Sequence, residues 1–397
     1  MRRTLLAATA IFAFSTASQA AENIKIGVVY PLTGPYAVAG EDCKRGMELA
    51  AEQINAAGGI KSLHGAKIEL VIGDSQSKPI NATSEAERLI TQEKVVMVAG
   101  PATSGESLPM TQVAEKYGIP MVNTLAQNEA ITGRGFKWIW STTLIDSDYS
   151  NGLFQALDMV LKLDPKKNKV GIIYPGNEYG KSLTMLLEDG FAKRTDVKLV
   201  SSVEVSDRAQ DYVQPVLKLK SSAPDVVMAV GYFRNGVLLS KALDQLDFHP
   251  IVVATGGMAS DPKLVEQIGT LVNWQFATTI FSADRPKAKV VSAAFEKRFN
   301  MPLTLNSAAA YQAMIVIATA LETAGSTNPD AIAKGFNSVY IKPEDMVMSS
   351  NFVKFDEHGR NTGRATVITQ FQDEKIVTVW PPEKAVGKAV LKGFGTK

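Results

Sequence analysis

Short runs rich in Val and Ile alternate along the chain with longer stretches in which apolar residues recur every three to four positions. The first runs are IKIGVVY from Ile24, KIELVIGD from Lys67, VVMVA from Val95 and IPMVN from Ile119. Each is typical of a strand buried on both faces, and the stretches between them have helical periodicity. The resulting order β-α-β-α-β-α-β predicts a parallel sheet covered by helices on both faces.

The same pattern restarts after FKWIWST (residues 136–142). Further strands are predicted at KVGIIY, residues 198–205, DVVMAVG, IVVAT and NWQFATTIF, then helices at 286–299 and 306–324, and two short strands, ATVITQF and IVTVW. The halves share no fixed-period repeat, and no Pro- or Ser-rich linker separates them. We therefore expect two similar α/β domains that are joined by direct crossings and can move about a hinge.

Two polar loops follow the strands at 95–99 and 119–123. In open parallel sheets ligands bind beyond the carboxyl ends of the strands, which places both loops at a binding edge. Thr103, Ser104 and Gly105 open the next helix, where free N–H groups and the helix dipole favour an anion such as a small carboxylate. Alternatively, Thr103 and Glu106 form a capping box, and the hydroxyls satisfy only their own helix. These residues leave both readings open.

The first 20 residues have the composition of a secretory signal. Arg2 and Arg3 precede an apolar run at residues 5–14, and Ser18-Gln19-Ala20 precedes Ala21. This order predicts cleavage near Ala20 and export. The apolar run is too short to span a bilayer, and no later stretch approaches the roughly 20 apolar residues that a transmembrane helix needs.

Charge and cysteine content narrow the classes of partner. Without Arg2 and Arg3, the 42 basic residues fall to 40, which equals the 40 acidic residues. A balanced charge, with basic residues spread beside acidic ones, argues against nucleic-acid and membrane-surface partners. With Cys43 as its one cysteine, the chain cannot form an internal disulfide, so its stability must come from its cores.

Sequence signals for catalysis are absent. YPGNEYGKS (174–182) resembles a phosphate-binding loop, but it has three residues between its glycines where the motif needs four. His64, His249 and His358 are scattered, without metal-ligand spacing or a Gly-x-Ser-x-Gly elbow. We therefore expect no enzymatic activity, no metal and no cofactor.

Several segments carry a family resemblance when they are taken in order. They are the signal, IKIGVVYPLTGPYAVAGEDCKRGMELAAEQINAAGGI, GDSQSKP, GPATS, IPMVNTLAQ and YGKSL. Together they resemble the Leu/Ile/Val-binding type of periplasmic solute-binding protein, which feeds ABC importers. The resemblance covers essentially the whole mature chain, and its opening block is the most specific part.

This resemblance implies two Rossmann-like lobes, the type I periplasmic binding protein fold, that close on a ligand. Three hinge crossings would fall near residues 141–144, 277–280 and 348–352. The N-terminal lobe would then comprise residues 21–142 and 278–350. The C-terminal lobe would comprise residues 143–277 and 351–397.

The resemblance also implies a set of ligand-binding residues. The family's carboxylate-binding serine matches Ser104, its backbone-and-hydroxyl loop matches Leu125, Ala126 and Gln127, and the tyrosines of its second lobe match Tyr179 and Tyr232. Two positions depart from the family pattern, because Gln127 stands where a threonine is usual and Gly257 stands where an acidic residue holds the ligand ammonium.

The departure at Gly257 bears on the class of ligand. A buried ammonium without an acidic partner is strongly disfavoured, whereas a ligand without an ammonium would not need that partner. An aromatic or aliphatic carboxylic acid therefore competes with an amino acid. Glu178 or Asp261 could instead supply the missing carboxylate.

The expected function is therefore the periplasmic substrate-binding component of an ABC-type amino-acid transport system. The protein would act as a monomer, capture a small carboxylate-bearing solute between closing lobes and deliver it to a membrane permease. A ligand-sensing domain is the alternative that uses the same two lobes. An exported α/β enzyme would need a nucleophile and base or a metal set, which the sequence lacks.

Overall fold

The structure is a computed structural model, and it describes residues 22–396. The predicted signal segment and its cleavage site lie outside the described residues. Within residues 22–396, every helix is too short or too polar to cross a bilayer.

Five parallel strands form the first sheet. They are β1 (Ile24–Tyr30), β2 (Ile68–Asp74), β3 (Met97–Ala99), β4 (Met121–Asn123) and β5 (Ile139–Ser141), in the order β2-β1-β3-β4-β5 across the sheet. Ile26 of β1 pairs with Leu70 of β2 on one side and with Met97 of β3 on the other. Each predicted strand of this half is present, and the predicted parallel arrangement is confirmed.

Seven strands form the second sheet. They are β6 (Lys169–Pro175), β7 (Lys198–Val205), β8 (Val226–Ala229), β9 (Ile251–Thr255), β10 (Phe276–Thr279), β11 (Val367–Gln372) and β12 (Lys375–Trp380). Their order is β12-β11-β10-β9-β8-β6-β7; β11 pairs antiparallel with β10 and with β12, and the other pairs are parallel. The second half therefore repeats the architecture of the first and adds an antiparallel edge.

Helices connect the strands and cover both sheets. They are α1 (Ala37–Ala56), α2 (Pro79–Thr91), α3 (Ser104–Tyr117), α4 (Ala130–Gly133), α5 (Asp146–Leu163), α6 (Glu178–Ala192), α7 (Val213–Ser221), α8 (Phe233–Gln245), α9 (Gly256–Ala259), α10 (Leu264–Ile268), α11 (Pro286–Phe299), α12 (Leu305–Ala324) and α13 (Pro329–Asn337). Short 3-10 turns lie at Lys61–Leu63, Gly269–Val272 and Pro343–Asp345. The sequence pattern did not indicate α4, α9, α10 or α13, and of these only α13 is longer than five residues.

Successive residues of the strands face different cores, as expected for strands buried on both sides. Val28 of β1 belongs to the core beneath α1 and α12, whereas Val29 packs with residues of α2 and α3. The late helix α12 lies against α1 so closely that a Cβ on Gly46 would stand 2.1 Å from the carbonyl oxygen of Ser307. We call the first sheet with α1–α4 and α11–α13 the N-terminal lobe, and the second sheet with α5–α10 the C-terminal lobe.

The chain passes between the lobes where strands end. It leaves the N-terminal lobe after β5 and returns after β10, close to the first two predicted crossings. The segment after α13 then runs past the second crossing, since the Ser349 N–H donates to the carbonyl oxygen of Ile280 at 2.7 Å.

Residues 353–361 stay with the N-terminal lobe. The Ser141 N–H donates to the Gly359 oxygen at 2.8 Å, and the Asn361 N–H donates to the Ser141 oxygen at 3.2 Å, so this segment pairs beside β5. Phe355 packs edge-on against Phe336 of α13. These contacts correct the predicted boundary after residue 350, because the chain enters the second sheet only after Asn361; the other lobe boundaries stay a prediction.

Candidate functional site

A cavity lies between the two lobes, at the carboxyl ends of both sheets. Its lining contains all seven residues that the sequence analysis selected: Ser104, Leu125, Ala126, Gln127, Tyr179, Tyr232 and Gly257. Five further residues complete it: Ala102, Tyr149, Gly231, Leu305 and Asn306. The structure thus brings the selected residues together, and their contact with a ligand stays a prediction.

The turn after β3 directs its loop towards this cavity. Gly100 has a φ of +108°, and a Cβ there would stand 2.1 Å from the carbonyl oxygen of Val29. Only glycine fits both the backbone conformation and the close approach to β1. The next residues, Ala102 to Ser104, then reach the cavity wall.

The capping box that the sequence left open at the start of α3 is incomplete, because only its Glu106 half is present, with the carboxylate accepting from the Thr103 N–H. Thr103 is the N-cap residue, but its side chain makes no hydrogen bond to the N–H groups of the helix. Its hydroxyl instead donates to Oε2 of Glu106 at 2.6 Å, while the hydroxyl of Ser75 donates to Oε1. The hydroxyl of Thr103 therefore leaves the first N–H groups of the helix uncapped.

Ser104 occupies the first position of α3 and is almost fully buried. Its Oγ accepts a hydrogen bond from the Asn128 N–H at 3.3 Å, so its own proton remains to be donated. An oxyanion in the cavity would meet this hydroxyl and the positive end of the helix dipole together. This end of the cavity is therefore suited to a carboxylate.

Asn123, at the end of β4, holds the second loop in place. Its Oδ1 accepts from the Ser107 hydroxyl at 2.9 Å, and its Nδ2 donates to the Ala126 oxygen at 2.7 Å. The side chain of Gln127 hydrogen-bonds the hydroxyl of Tyr149. Leu125, Ala126 and Gln127 are thus fixed from both lobes.

Tyrosines form the wall of the C-terminal lobe. Tyr179 lies in the first turn of α6, Tyr232 is the N-cap residue of α8, and their ring centroids are 5.4 Å apart. Burial raises the pKa of both hydroxyls well above the ordinary value, so both tyrosines are neutral at physiological pH. The rings supply a large uncharged surface to the cavity.

Tyr149, Leu305 and Asn306 were missed by the sequence analysis. Tyr149 lies on α5, just after the first crossing, and Leu305 and Asn306 open α12. They approach the cavity from segments distant in sequence from the two loops, so no local pattern marks them. Ala102 and Gly231 follow β3 and β8 directly, and the rule for carboxyl ends of strands could have found both.

The two acidic residues proposed to replace a carboxylate at Gly257 do not line the cavity. Glu178 is exposed at the start of α6. Asp261 is buried elsewhere, with its Oδ1 accepting from the Lys263 N–H at 2.9 Å. A Cβ on Gly257 would approach the Gly231 oxygen to 3.3 Å, so this part of the wall is also close-packed.

A different carboxylate, Asp146, does not line the cavity either, but it adjoins two of the lining residues, Gln127 and Tyr179. Asp146 is fully buried at the start of α5, and its N–H donates to the Gln127 oxygen at 2.9 Å. Its Oδ2 accepts from the Ser182 hydroxyl at 2.5 Å, whereas Oδ1 has no hydrogen-bond partner among residues 22–396. Burial raises the pKa of Asp146 from 3.8 to about 7, to which Glu129 also contributes.

Tyr36 ties the lobes together at the mouth of the cleft. Its hydroxyl donates to Oδ2 of Asp207 at 2.5 Å and accepts from Nδ2 of Asn177 at 3.0 Å. Its ring centroid lies 4.9 Å from that of Tyr232, which lines the cavity. Tyr36 therefore covers the aromatic wall from the opposite lobe.

A second tie joins α1 to the C-terminal lobe. Lys263 Nζ donates to Oδ2 of Asp42 at 2.6 Å, and both side chains are largely buried. The hydroxyl of Thr304 donates to the same oxygen at 3.1 Å.

The part of the chain that the structure describes has no group of three His, Cys, Asp or Glu side chains arranged to hold a metal ion.

Comparison with known proteins agrees with this architecture. A family model described as periplasmic binding protein matches residues 23–375. Leu/Ile/Val-binding protein homolog 7 of Brucella suis biovar 1 is 30% identical over 405 residues, and the alignment covers 98% of this chain and 100% of that protein.

Two solved structures share the fold. A branched-chain amino acid transporter substrate-binding protein from Streptococcus pneumoniae, in complex with isoleucine, has a TM-score of 0.78 and 22% identity, covering 89% of this chain and 97% of its own. A solute-binding protein of an ABC transporter from R. palustris, in complex with benzoate, has a TM-score of 0.79 and 17% identity, covering 93% and 97%. Proteins of this family are extracytoplasmic and are not enzymes. The chain therefore belongs to the periplasmic binding protein family, as an ABC-transporter substrate-binding protein of the Leu/Ile/Val-binding type.

Proposed function

We propose that the protein binds an amino acid with an aliphatic side chain and delivers it to an ABC permease. The observation that carries the choice of an amino acid is the Asp146 carboxyl. It does not line the cavity itself, but it is buried against the lining residues Gln127 and Tyr179, and its Oδ1 is unpartnered among the described residues. A buried carboxylate without a cationic partner is costly, and a ligand ammonium would supply that partner.

The other end of the ligand is provided for by the N-terminal lobe. The Ser104 hydroxyl and the uncapped start of α3 favour a carboxylate, which every amino acid carries. With an anion at α3 and a cation towards Asp146, the two charges of a zwitterion would point to different lobes. A ligand that joins the lobes in this way would favour their closure.

The rest of the cavity wall favours an apolar ligand side chain. Leu125, Leu305 and the rings of Tyr179 and Tyr232 face the cavity, and no charged side chain of the described residues lines it. Such a lining suits an aliphatic side chain. It would accept an aromatic acid as well, so the decision between these classes rests on the ammonium and not on the apolar wall.

In this function the protein works in the periplasm as a monomer after its signal is cleaved near Ala20. The lobes close about the crossings, the closed form meets the permease, and opening releases the amino acid. The two ties across the cleft, at Tyr36 and at Asp42, support a closed form of defined geometry. Small-angle scattering with saturating ligand should show a smaller radius of gyration than without ligand.

Calorimetry with matched ligand pairs tests the choice of an amino acid. Leucine is compared with its deaminated 2-oxo acid, and phenylalanine with 3-phenylpropanoic acid, on the unaltered protein. We expect the amine-bearing member of each pair to bind at least tenfold more tightly, because only it can pair with Asp146. Asp146→Asn should remove that preference, and Asp158→Asn, an exposed change on the same helix, should preserve it.

The opposite result would identify a different ligand class. Tighter binding of the acid without the amine in both pairs would overturn the amino-acid proposal and favour a carboxylic-acid importer. A preference for the amine that survives Asp146→Asn would keep the amino acid but would place its ammonium elsewhere.

A further inference from the structure

A second cavity, with room for about one water molecule, lies where the chain passes between the lobes. It shares no residue with the ligand cavity. Its wall combines Thr142, Thr143 and Leu144 of the first crossing, Ile280 of the second, Met348 and Ser350 of the segment beside it, and Thr124, Ala309 and Gln312 of the N-terminal lobe. We call it the hinge cavity.

Two polar side chains of this wall lack a partner. Thr143 is 4% exposed and Gln312 is 2% exposed, yet Thr143 Oγ1 and Gln312 Nε2 make no hydrogen bond to any of the residues 22–396. The amide of Gln312 is oriented by its other end, because its Oε1 accepts from the Val347 N–H at 2.8 Å. Its Nε2 is therefore the donor end, and it needs an acceptor.

A third such group lies between the lining residues Met348 and Ser350 in the sequence. Ser349 is fully buried and its Oγ has no partner in the described part of the chain, although Ser349 does not line the cavity. The neighbouring hydroxyls make their hydrogen bonds elsewhere. Thr124 is hydrogen-bonded to Tyr30 at 3.0 Å, and Thr142 donates to the Asn123 oxygen at 3.4 Å.

Buried polar groups in native proteins are almost always hydrogen-bonded, to protein or to ordered water. A water molecule fits the requirements here, because it can accept from an amide and bond a hydroxyl at the same time. A charged occupant does not fit, since no ionisable side chain among residues 22–396 lines the cavity. Leu144, Ile280, Ala309 and Met348 supply the apolar part of the wall.

We infer that the hinge cavity binds an ordered water molecule, which accepts a hydrogen bond from Gln312 Nε2 and bonds Thr143 Oγ1. The water joins α12 to the first crossing. Because a water bridge can re-form in a new geometry, it keeps both groups satisfied while the crossing rotates. The site does not depend on which solute the ligand cavity takes.

Two threonine variants should change the stability of the protein in opposite directions, and this difference tests the site. If water bonds the Thr143 hydroxyl, then Thr143→Val removes a hydrogen bond, and the equilibrium constant for unfolding in urea rises about fivefold. Thr184 is the matched control, since it is 2% exposed, lacks a partner among the described residues and lines neither cavity. Thr184→Val should leave the constant unchanged or lower it, because it removes an unsatisfied hydroxyl.

A double-mutant cycle of Thr143→Val with Gln312→Met then tests the bridge itself. Gln312→Met also removes the hydrogen bond to the Val347 N–H, but it does so whether or not Thr143→Val is present, so this loss cancels in the cycle. If the effects of the two changes on the unfolding constant differ from additivity by at least twofold, the difference reports the water-mediated link. A stabilising Thr143→Val, matching Thr184→Val, or additive effects of the two changes, would overturn the inference. For the unaltered protein, a crystal structure should show a water within 3.2 Å of both atoms, and a dry cavity would equally overturn it.

Discussion

The two walls of the ligand cavity differ in chemistry. The N-terminal lobe presents the Ser104 hydroxyl, the start of α3 and the amides of Gln127 and Asn306 beside two leucines, and Asn123 holds α3 and the second loop in place. The C-terminal lobe presents the rings of Tyr179 and Tyr232 above glycines. The first wall offers directed polar contacts and the second offers aromatic surface. Substitutions in the two walls should therefore change ligand binding in different ways.

The difference follows from how each wall is supported. The loops of the N-terminal lobe are fixed by hydrogen bonds to buried groups, which leaves little freedom for a misplaced donor. The tyrosines are fixed by ring contacts, with centroids 4.9 to 5.4 Å apart from Tyr36 through Tyr232 to Tyr179. We expect polar changes to alter selectivity and aromatic changes to alter overall affinity.

The largest effect is expected from removing the aromatic wall. Tyr232→Ala and Tyr179→Ala should each weaken ligand binding by about 3 kcal/mol, or more than 100-fold, because buried aromatic contacts dominate binding energies. Calorimetry with leucine and with its 2-oxo acid measures the loss. Both ligands should lose affinity alike, since the ring contacts do not distinguish them.

Tyr340→Ala is the control for this pair, because Tyr340 is 54% exposed and does not line the cavity. It should leave affinity unchanged. If both cavity tyrosines can be replaced without loss of affinity, the C-terminal wall does not contact the ligand, and the comparison of the walls fails.

Ser104→Ala should have the next largest effect. It deletes one charge-assisted hydrogen bond of about 1.5 to 3 kcal/mol, so the dissociation constant should rise about 30-fold. Thermal unfolding of the unliganded protein should change little, because the Ser104 hydroxyl accepts only one long bond, from Asn128. Lost stability with full affinity would mean that the serine serves its helix and that the carboxylate lies elsewhere.

The contrast between the walls also explains what the sequence could predict. The polar wall comes from two strand–loop units close together in the chain, so the rule for carboxyl ends of strands reaches Ser104 and residues 125–127. The capping-box question could not be decided locally, because Glu106, the partner of Thr103, is also held by Ser75, 31 residues away.

Only part of the aromatic wall could be predicted from the sequence. Tyr179 and Tyr232 follow predicted strands, and the family resemblance marks them, whereas Tyr149 and Asn306 arrive through α5 and α12 after crossings between the lobes. Residues 353–361 were misplaced for a similar reason, since they pair through isolated bridges without any alternation of apolar positions. Such positions depend on tertiary packing, which overrides local pattern.

The pH dependence of binding should be smaller for each pH unit than the effect of Ser104→Ala, but more specific. The pKa of Asp146 is raised from 3.8 to about 7, so its contribution to the stability of the unliganded protein is greatest below pH 4 and is lost as pH rises through 7. A ligand ammonium favours the ionised carboxylate and releases its proton. Leucine should therefore bind more tightly as pH rises from 5 to 7, by up to about tenfold per unit.

Titration calorimetry in two buffers of different ionisation enthalpy measures that proton release. The 2-oxo acid, which lacks the ammonium, should show no release from Asp146, and Asp146→Asn should abolish the release with leucine. Equal proton release for both ligands would assign the titration to another group and would separate Asp146 from the ligand.

The smallest effect is expected from Tyr36→Phe, which tests whether the walls are held together from outside the cavity. The change keeps the ring against Tyr232 and removes only the hydroxyl that bonds Asp207 and Asn177. Because this contact spans the cleft, it exists only when the lobes are closed. Its loss should raise the dissociation rate of the ligand about fivefold, for a hydrogen bond of about 1 kcal/mol, and leave the association rate unchanged. Stopped-flow fluorescence with leucine, or with whichever ligand of the matched pairs binds, resolves the two rates, and Tyr340→Phe is the control. An unchanged dissociation rate with slower association would show that Tyr36 acts on the open form, and the closing role of this tie would have to be abandoned.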